Sequence, residues 1–319
     1  MALSDLSVYS EYAYTTATEI LAQQIELFNG ASRGAISLGT SPIQGDYSDQ
    51  IMWQKISGLV RRRNAYGTGS VSSKKLTNLV DTMVKVAAGT PPVEMNKSQF
   101  TWIQMNPAEA GVILGKQLAV DSMADMLNTA IMSGYAALAG VSDVVLDVTG
   151  ATDKKMTPGN LNLAAHKFGD RAQDIVCWLS HSATMASFYG TAITNANLLF
   201  NYGSINVNSD PFGRVFIVSD STSLVNSTTY YVLGLVPGAI TVNHNGDYDE
   251  NWQRTNGDEN IQTTYQAEWT YNLGIKGFAW DKTNGGASPA DGALATSSNW
   301  DKYATSVKDI AGVVMKCNA

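Results

Sequence analysis

The amino-acid sequence predicts an α+β protein built around one unusually long helix. Residues 107–139 carry apolar side chains at helical spacing, and residues 263–280 alternate as strands do. Residues 51–100 combine apolar flanks with a turn-rich, basic centre. A helix of that length needs a long partner surface, which either a long sheet or neighbouring chains would supply.

Residues 1–50 are predicted to form an arm with one helix. The apolar residues of this helix follow helical spacing and end at Gly30, namely Ala17, Ile20, Leu21, Ile25 and Phe28. A stretch containing Ser, Gly and Pro then continues through Tyr47. The arm has little apolar material with which to build a core of its own.

Residues 51–100 concentrate positive charge. From Lys55 to Lys97 there are eight basic residues and two acidic ones, a local balance of +6, whereas the rest of the chain holds 13 basic and 26 acidic residues, a balance of −13. The centre, residues 63–73, is rich in turn-forming residues. We therefore predict an extended two-stranded loop with a flexible tip, projecting from an acidic body.

The long helix has start and stop signals. Asn106 is the predicted N-cap, Pro107 occupies the first helical position, and Glu109 stands where a capping box needs it. Gly140 is the predicted residue that ends the helix. At 1.5 Å per residue the helix is about 50 Å long, whereas helices of globular proteins average about 11–12 residues.

The remainder alternates between strands and helices. We predict strands at 144–148, 174–179, 214–218 and 230–235, and helices at 160–168 and 182–193. A short strand at 239–242 precedes a polar loop at 243–260, and the long closing strands occupy 263–280. A linker rich in Gly, Ala and Ser, residues 284–298, leads to a short tail.

Composition narrows the class of protein. Only 15% of residues are charged, against about 25% in typical soluble domains, which favours close contact with other protein. The net charge of −7 disfavours ordinary nucleic-acid binding. Cys177 and Cys317 form no metal-ligand spacing, the N-terminus lacks signal-peptide features, and no apolar stretch could span a membrane. A reducing cytoplasm is the predicted compartment.

Few residues suggest catalysis or ligand binding. Ser180, His181 and Ser182 invite a hydrolase interpretation, but neighbours in sequence rarely face each other, and we favour a serine that caps the next helix. No histidine pair has zinc spacing, and the acidic loop at 245–250 lacks the pattern of a calcium-binding loop. We predict no catalytic residue, no cofactor and no metal, with a hydrolase and a calcium-binding loop kept as less favoured alternatives.

The basic loop has three possible roles. Its candidate contact residues are Arg61, Arg62, Arg63, Lys74 and Lys75. A nucleic-acid patch is one role, although only Trp53 and Tyr66 lie near enough to stack on bases. A solvated loop is another. We favour an inter-subunit contact, because a loop of charge +6 is drawn to the −13 body of a neighbour and complementary charge also fixes register.

The order of elements resembles one known family. The sequence TYQAEWTYNLGIKGFAWD at 264–281 is similar to the closing strands of tailed-bacteriophage major capsid proteins, and GALATSSNWDKYATSVKDIAG at 292–312 is similar to their tail. The resemblance spans nearly the whole chain. It implies the Johnson fold, with an N-terminal arm (1–50), an extended loop (51–100), a peripheral domain with the spine helix (101–148), an axial domain (149–235), and closing strands and tail (236–319).

The resemblance also implies a function. The chain would be a non-enzymatic subunit that assembles with itself into hexamers and pentamers of an icosahedral shell, in the host cytoplasm and then in the virion. The shell would hold double-stranded DNA without sequence-specific binding. Scaffolding and portal proteins would be its partners, with any scaffold a separate protein and no membrane involved. An encapsulin-like compartment shell of the same fold is the alternative.

Overall fold

The computed structural model describes residues 3–54, 56, 59–95, 106–191, 197–202, 205–209, 213–256 and 262–319. Along the first part of the chain the elements are α1 (Leu3–Ala31), β1 (Ile36–Thr40), β2 (Tyr47–Trp53), β3 (Asn78–Gly89), β4 (Val93–Met95), α2 (Pro107–Ala139), β5 (Val145–Asp147), α3 (Pro158–His166), β6 (Cys177–Ser180) and α4 (Ser182–Thr191).

The second part of the chain contributes most of the strands. They are β7 (Asn197–Tyr202), β8 (Ile205–Ser209), β9 (Val215–Ser219), β10 (Val225–Asn226), β11 (Thr229–Leu235), β12 (Ile240–His244), β13 (Asp249–Thr255), β14 (Gln262–Ile275), β15 (Phe278–Trp280), β16 (Trp300–Lys302) and β17 (Gly312–Cys317), with the short helix α5 (Asp291–Leu294) between β15 and β16.

The first sheet is organised around β14. Along one edge β14 pairs antiparallel with β13 and then β12, and along the other edge it pairs with β4 and then β3. Its alternating pattern buries every second side chain from Thr263 to Tyr271, because successive residues of a strand point to opposite faces. β1 extends the sheet beyond β12, while β15 and β16 extend it beyond the end of β14.

The second sheet has the order β5-β17-β11-β6-β9-β8-β7, with β10 beside β11. Two of its pairs, β5 with β17 and β6 with β9, are parallel. All residues of β6 and β9 are buried, which explains why both segments have continuous apolar runs rather than alternating ones.

Helix α2 connects the two sheets. It packs against β12, β14 and β16 of the first sheet and against β17 of the second. The buried side chains on this face include Met123, Met126, Leu127, Ile131 and Leu138. The predicted need for a long packing surface is therefore met within the chain itself.

Helix α1 packs along the first half of α2, and the two helices come closest at two glycines of α2. A Cβ atom at Gly111 would lie 2.5 Å from the carbonyl oxygen of Tyr9, and one at Gly115 would collide with the carbonyl oxygen of Ala13. Tyr9 precedes Ala13 as Gly111 precedes Gly115, so the two helices run in the same direction. We call this contact the α1–α2 seam.

The structure corrects three local predictions. Helix 107–139 is confirmed, but Asn106 does not cap it through a side-chain bond, because its Nδ2 donates to Glu109 Oε2 at 3.2 Å instead. Gly140 follows the last helical residue with right-handed backbone at φ −70°, so no left-handed turn ends the helix. The polar loop predicted at 243–260 is wrong, because β13 lies within it as an edge strand whose exposed residues are polar.

Other boundaries also differ from the predictions. The helix of the arm begins at Leu3, well before the apolar residues that predicted it. The predicted helix at 182–193 is α4, and Ile193 lies outside the described residues, as do Lys55 and Lys97 of the basic segment.

Candidate assembly surfaces

The predicted extended loop is a β-hairpin that projects from the first sheet. Strand β3 pairs with β14 only over Val84–Gly89, and its outer half, together with Val84, pairs with β2 from Tyr47 to Trp53. Beyond Val84 the two-stranded ribbon runs past β15 and the segment after β16, where Gln54 Nε2 donates to Thr305 Oγ1 at 3.3 Å, and the exposed connection follows. We call residues 54–77, which join the two strands, the loop tip.

Local hydrogen bonds shape the loop tip. Asn64 Oδ1 accepts from the Tyr66 amide at 3.0 Å, and the Gly67 amide donates to the Asn64 carbonyl at 3.3 Å. Asparagine favours such turns because its short side chain can mimic a backbone group. At the other end of the loop tip the Gln54 amide donates to the Thr77 carbonyl at 2.9 Å, which continues the ladder by one step.

All five predicted contact residues lie on the loop tip and are exposed: Arg61, Arg62, Arg63, Lys74 and Lys75. The structure brings the two basic clusters onto one connection between β2 and β3. Their role in subunit contact stays a prediction, because the structure contains a single chain.

The same hairpin also exposes large apolar side chains, which sequence reasoning missed. Trp53 is 70% exposed, Ile51 is 71% exposed, and Ile51 lies directly opposite the exposed Val80 on one face of the ribbon. The loop tip adds Leu59, Val60, Tyr66, Val71 and Leu76. We call these eight residues the apolar strip. The sequence does carry a signal for this strip, since Trp53 and Tyr66 lie near the three arginines along the chain.

The base of the hairpin is tied to the body by polar contacts. Lys282 Nζ lies 2.6 Å from Asp49 Oδ2 and 5.1 Å from the centre of the Tyr47 ring. Thr82 Oγ1 donates to Asp49 Oδ1 at 2.8 Å. The bonds from Lys282 and then Thr82 lower the pKa of Asp49. The Lys282 contacts join the base of the ribbon to the segment that follows β15.

Burial disfavours the charged form of a second carboxyl group at the base of the hairpin, that of Asp81. Burial raises the pKa of Asp81, and the hydroxyl of Tyr303 partly offsets this by hydrogen bonding. The other oxygen, Oδ1, is buried and has no partner among the described residues. Burial together with the charge of Asp81 raises the pKa of Tyr303 to about 12.

Asp81 predicts a pH-dependent stability with a definite sign. A carboxyl group with a raised folded-state pKa destabilises the fold as pH rises from its ordinary pKa to the raised one. We expect Asp81→Asn to remove this dependence. The free energy of unfolding of the variant, minus that of the wild type, should therefore increase as pH rises through that window. Urea unfolding at several pH values measures this difference, and a constant difference would contradict the account.

The side chains of His181 and Asp220 contact the start of α4, and His181 Nε2 lies 3.6 Å from Asp220 Oδ1. His181 Nδ1 accepts from the Ala183 amide at 3.1 Å, and Asp220 Oδ1 accepts from the Ser182 amide at 3.3 Å, so both side chains bind the start of α4. Ser180 Oγ is buried without a hydrogen-bond partner among the described residues. A nucleophile needs a base within hydrogen-bond reach. Here the imidazole of His181 and the carboxylate of Asp220 accept hydrogen bonds from backbone amides of α4.

The carboxylates of the acidic segment do not converge on one point. Asp247 Oδ1 accepts from the Thr270 amide at 2.9 Å. Glu250 Oε2 accepts from the hydroxyls of Tyr248 at 2.9 Å and Tyr265 at 3.2 Å. Within the described part of the chain, no group of three or more His, Cys, Asp or Glu side chains has the arrangement of a metal site.

Comparison with known proteins gives one family match. A family model described as major capsid protein 13-like, or Gp13-like, matches residues 5–314. No curated protein matches the sequence. No helix within the described ranges has the length and apolar character needed to cross a bilayer.

Several solved structures are similar in fold. The head structure of Helicobacter pylori bacteriophage KHP40 has a TM-score of 0.51 at 11% identity, over 91% of this chain and 89% of that one. The Cyanophage Pam1 capsid asymmetric unit has a TM-score of 0.50 at 11% identity, over 86% and 85%. A holo-SrpI encapsulin complex from Synechococcus elongatus PCC 7942 has a TM-score of 0.49 at 10% identity, over 87% and 84%. The two phage structures confirm the predicted Johnson fold.

Proposed function

Because this chain belongs to the major capsid protein 13-like family, and is therefore a capsid shell subunit of a virion, we propose how it builds the shell. Copies of the chain form hexamers and pentamers that close into an icosahedral phage head. In each ring, the hairpin of one subunit reaches onto the next. The observation that carries this proposal is the projecting hairpin, which exposes both the apolar strip and the five basic residues.

Solvation explains why the hairpin suits an interface. Large apolar side chains exposed together mark surfaces that become buried in an assembly. Tryptophan, tyrosine and arginine are the residues that dominate binding energy at interfaces, and the hairpin presents all three. A loop with only a solvent-facing role has no need of Trp53 and Ile51 at 70% and 71% exposure.

The proposed domain map agrees with the two sheets in part, since β1 of the first sheet lies in the arm and β5 of the second sheet lies in the peripheral domain. Residues 1–50 form the arm, 51–100 the extended loop, 101–148 the peripheral domain with α2 as its spine, 149–235 the axial domain, and 236–319 the closing strands and tail. The first sheet draws its strands from residues 36–95 and 240–302, and the second from 145–235 and 312–317. This division supports two structural units joined by α2, with the last strand, β17, returning to the second sheet.

The shell encloses double-stranded DNA without reading its sequence, and the subunit catalyses no reaction. The net charge of −7 supports weak contact with phosphate. Scaffolding and portal proteins are the proposed partners in closing the head. The geometry around Ser180 and His181 supports a structural role over the hydrolase alternative.

Charge reversal on the loop tip tests the contact. We expect Arg61→Glu, Arg62→Glu and Arg63→Glu together to raise the protein concentration needed for assembly by about tenfold or more, because like charges across an interface cost several kcal/mol. Light scattering at constant ionic strength measures the threshold. Lys154→Glu with Lys155→Glu and Lys167→Glu is the matched control away from the hairpin. Normal particles from the loop variant would refute the proposed role of the loop.

A further inference from the structure

One face of the β13–β14 ribbon is polar and negatively charged. In the strand register Asp249 lies opposite Glu268, Asn251 opposite Gln266, and Gln253 opposite Thr264. These six side chains line one concave surface. Strand β4 adds Glu94, which is exposed and lies opposite Thr264 on the other side. We call these seven residues the acidic face.

The opposite side of this ribbon is already occupied. Trp252 and Tyr265 turn toward α1, where the Trp252 ring lies 5.2 Å from the ring of Tyr9 and 4.5 Å from that of Tyr265. The acidic face points the other way, and among the described residues only β13 and β14 themselves contribute to the lining of its concave surface. It is therefore an uncovered sheet face.

The acidic face contains an arrangement that an isolated sheet disfavours. Like charges directly opposite each other on neighbouring strands destabilise the pair, and Asp249 faces Glu268 in this way. No lysine or arginine is among the described residues that line the surface. A locally unfavourable arrangement such as this repulsion is expected at a functional surface. A cationic group of a partner, placed between the two carboxylates, would remove the repulsion.

The chain's own basic loop points away from this face. Strand β3 is level with Glu268 at Gly89 and level with Leu273 at Val84, and it continues in the same direction to Asn78. The eleven steps from Gly89 to Asn78 cover about 36 Å at 3.3 Å per residue. The acidic face extends from Glu268 toward Gln262, in the opposite direction. The basic loop tip and the acidic face of one subunit thus lie in opposite directions along the first sheet.

We propose that the basic loop tip of one subunit docks on the acidic face of a second copy, head to tail. The inference rests on the proposed function and adds the acceptor surface to it. The arginines of the loop tip can pair with carboxylates through two parallel hydrogen bonds, and the amide and hydroxyl groups of the acidic face suit the Asn, Ser and Thr residues of the loop. A head-to-tail contact between identical chains closes into a ring when its rotation allows, which is the arrangement that a hexamer or a pentamer needs.

A charge-swap experiment tests the acceptor surface. The face variant carries Asp249→Lys and Glu268→Lys, the loop variant carries the three Arg→Glu changes at 61–63, and a combined variant carries both sets. We expect each separate variant to raise the assembly threshold by about tenfold or more, and the combined variant to return toward the wild-type threshold. A control with Asp174→Lys and Asp301→Lys makes the same charge change at exposed positions elsewhere and should leave the threshold near wild type.

The outcomes separate this inference from the proposed function. A loop variant that assembles normally would refute the role of the loop in the proposed function. A defective loop variant with a normal face variant, or with no recovery in the combined variant, would overturn the acceptor surface alone. A divalent cation is the other possible occupant of the acidic face. If a chelator disassembles the wild-type particles and the combined variant does not recover assembly, the face binds such a cation and the proposed docking of the loop tip is overturned. Tryptophan fluorescence during unfolding verifies that every variant folds.

Discussion

Replacing Trp53 with alanine is expected to raise the protein concentration needed for shell assembly on the order of 100-fold while the subunit stays folded. The indole is 70% exposed in the single chain, so its removal costs the isolated fold little. In an assembly, a buried tryptophan at the centre of a contact contributes about 2–4 kcal/mol. That loss corresponds to a threshold raised on the order of 100-fold, and every loop contact in the shell repeats it.

Sedimentation of the Trp53→Ala variant against wild type measures this effect. Leu163→Ala is the matched control, because Leu163 is an exposed apolar residue on α3, far along the chain from the hairpin. The control should assemble at nearly the wild-type concentration. If Trp53→Ala forms particles at the wild-type threshold, the apolar strip has no role in assembly and the basic residues act alone.

Substituting alanine into the α1–α2 seam is expected to destabilise the protein although alanine favours helices. Intrinsic propensity alone would make Gly111→Ala and Gly115→Ala each stabilising by about 1 kcal/mol. The seam predicts the opposite sign, because the new Cβ atoms collide with the backbone of α1. Overpacking typically costs about 1–3 kcal/mol per site, and here the obstructing atoms are carbonyl oxygens that no side-chain rotation can move.

Denaturant unfolding and limited proteolysis of α1 measure this prediction. Gly30→Ala is the matched control, since Gly30 lies in the last turn of α1 with no atom within 4 Å of a Cβ placed there. The control should be neutral or slightly stabilising. A gain of stability in the seam variants would show that α1 does not pack closely on α2.

Sequence patterns were sufficient where a single physical rule dominates. Helix 107–139 was predictable because Pro107 and a sustained apolar spacing both mark it, and the hairpin was predictable because charge and turn residues concentrate between two apolar flanks. The buried strands β6 and β9 were predictable as uninterrupted apolar runs. Each of these signals is local and requires no knowledge of what packs against it.

The missed features depend on partners distant in sequence. The sequence of β13 is typical of a polar loop, because its exposed residues are polar and few of its residues face inward. The strand is stabilised by pairing with β14 and by the packing of Trp252 on Tyr9. The seam is invisible in sequence because Gly111 and Gly115 matter only where α1 lies beside them. The acidic face follows from strand register, since Asp249 and Glu268 become neighbours only when β13 pairs with β14.

The most direct test of the central claim is cryo-electron microscopy of particles assembled from the purified protein. The account predicts closed shells in which residues 59–77 of each subunit lie against a different copy, with Trp53 buried in that contact. Subunits that stay monomeric at every concentration, or shells in which this loop faces solvent, would contradict it.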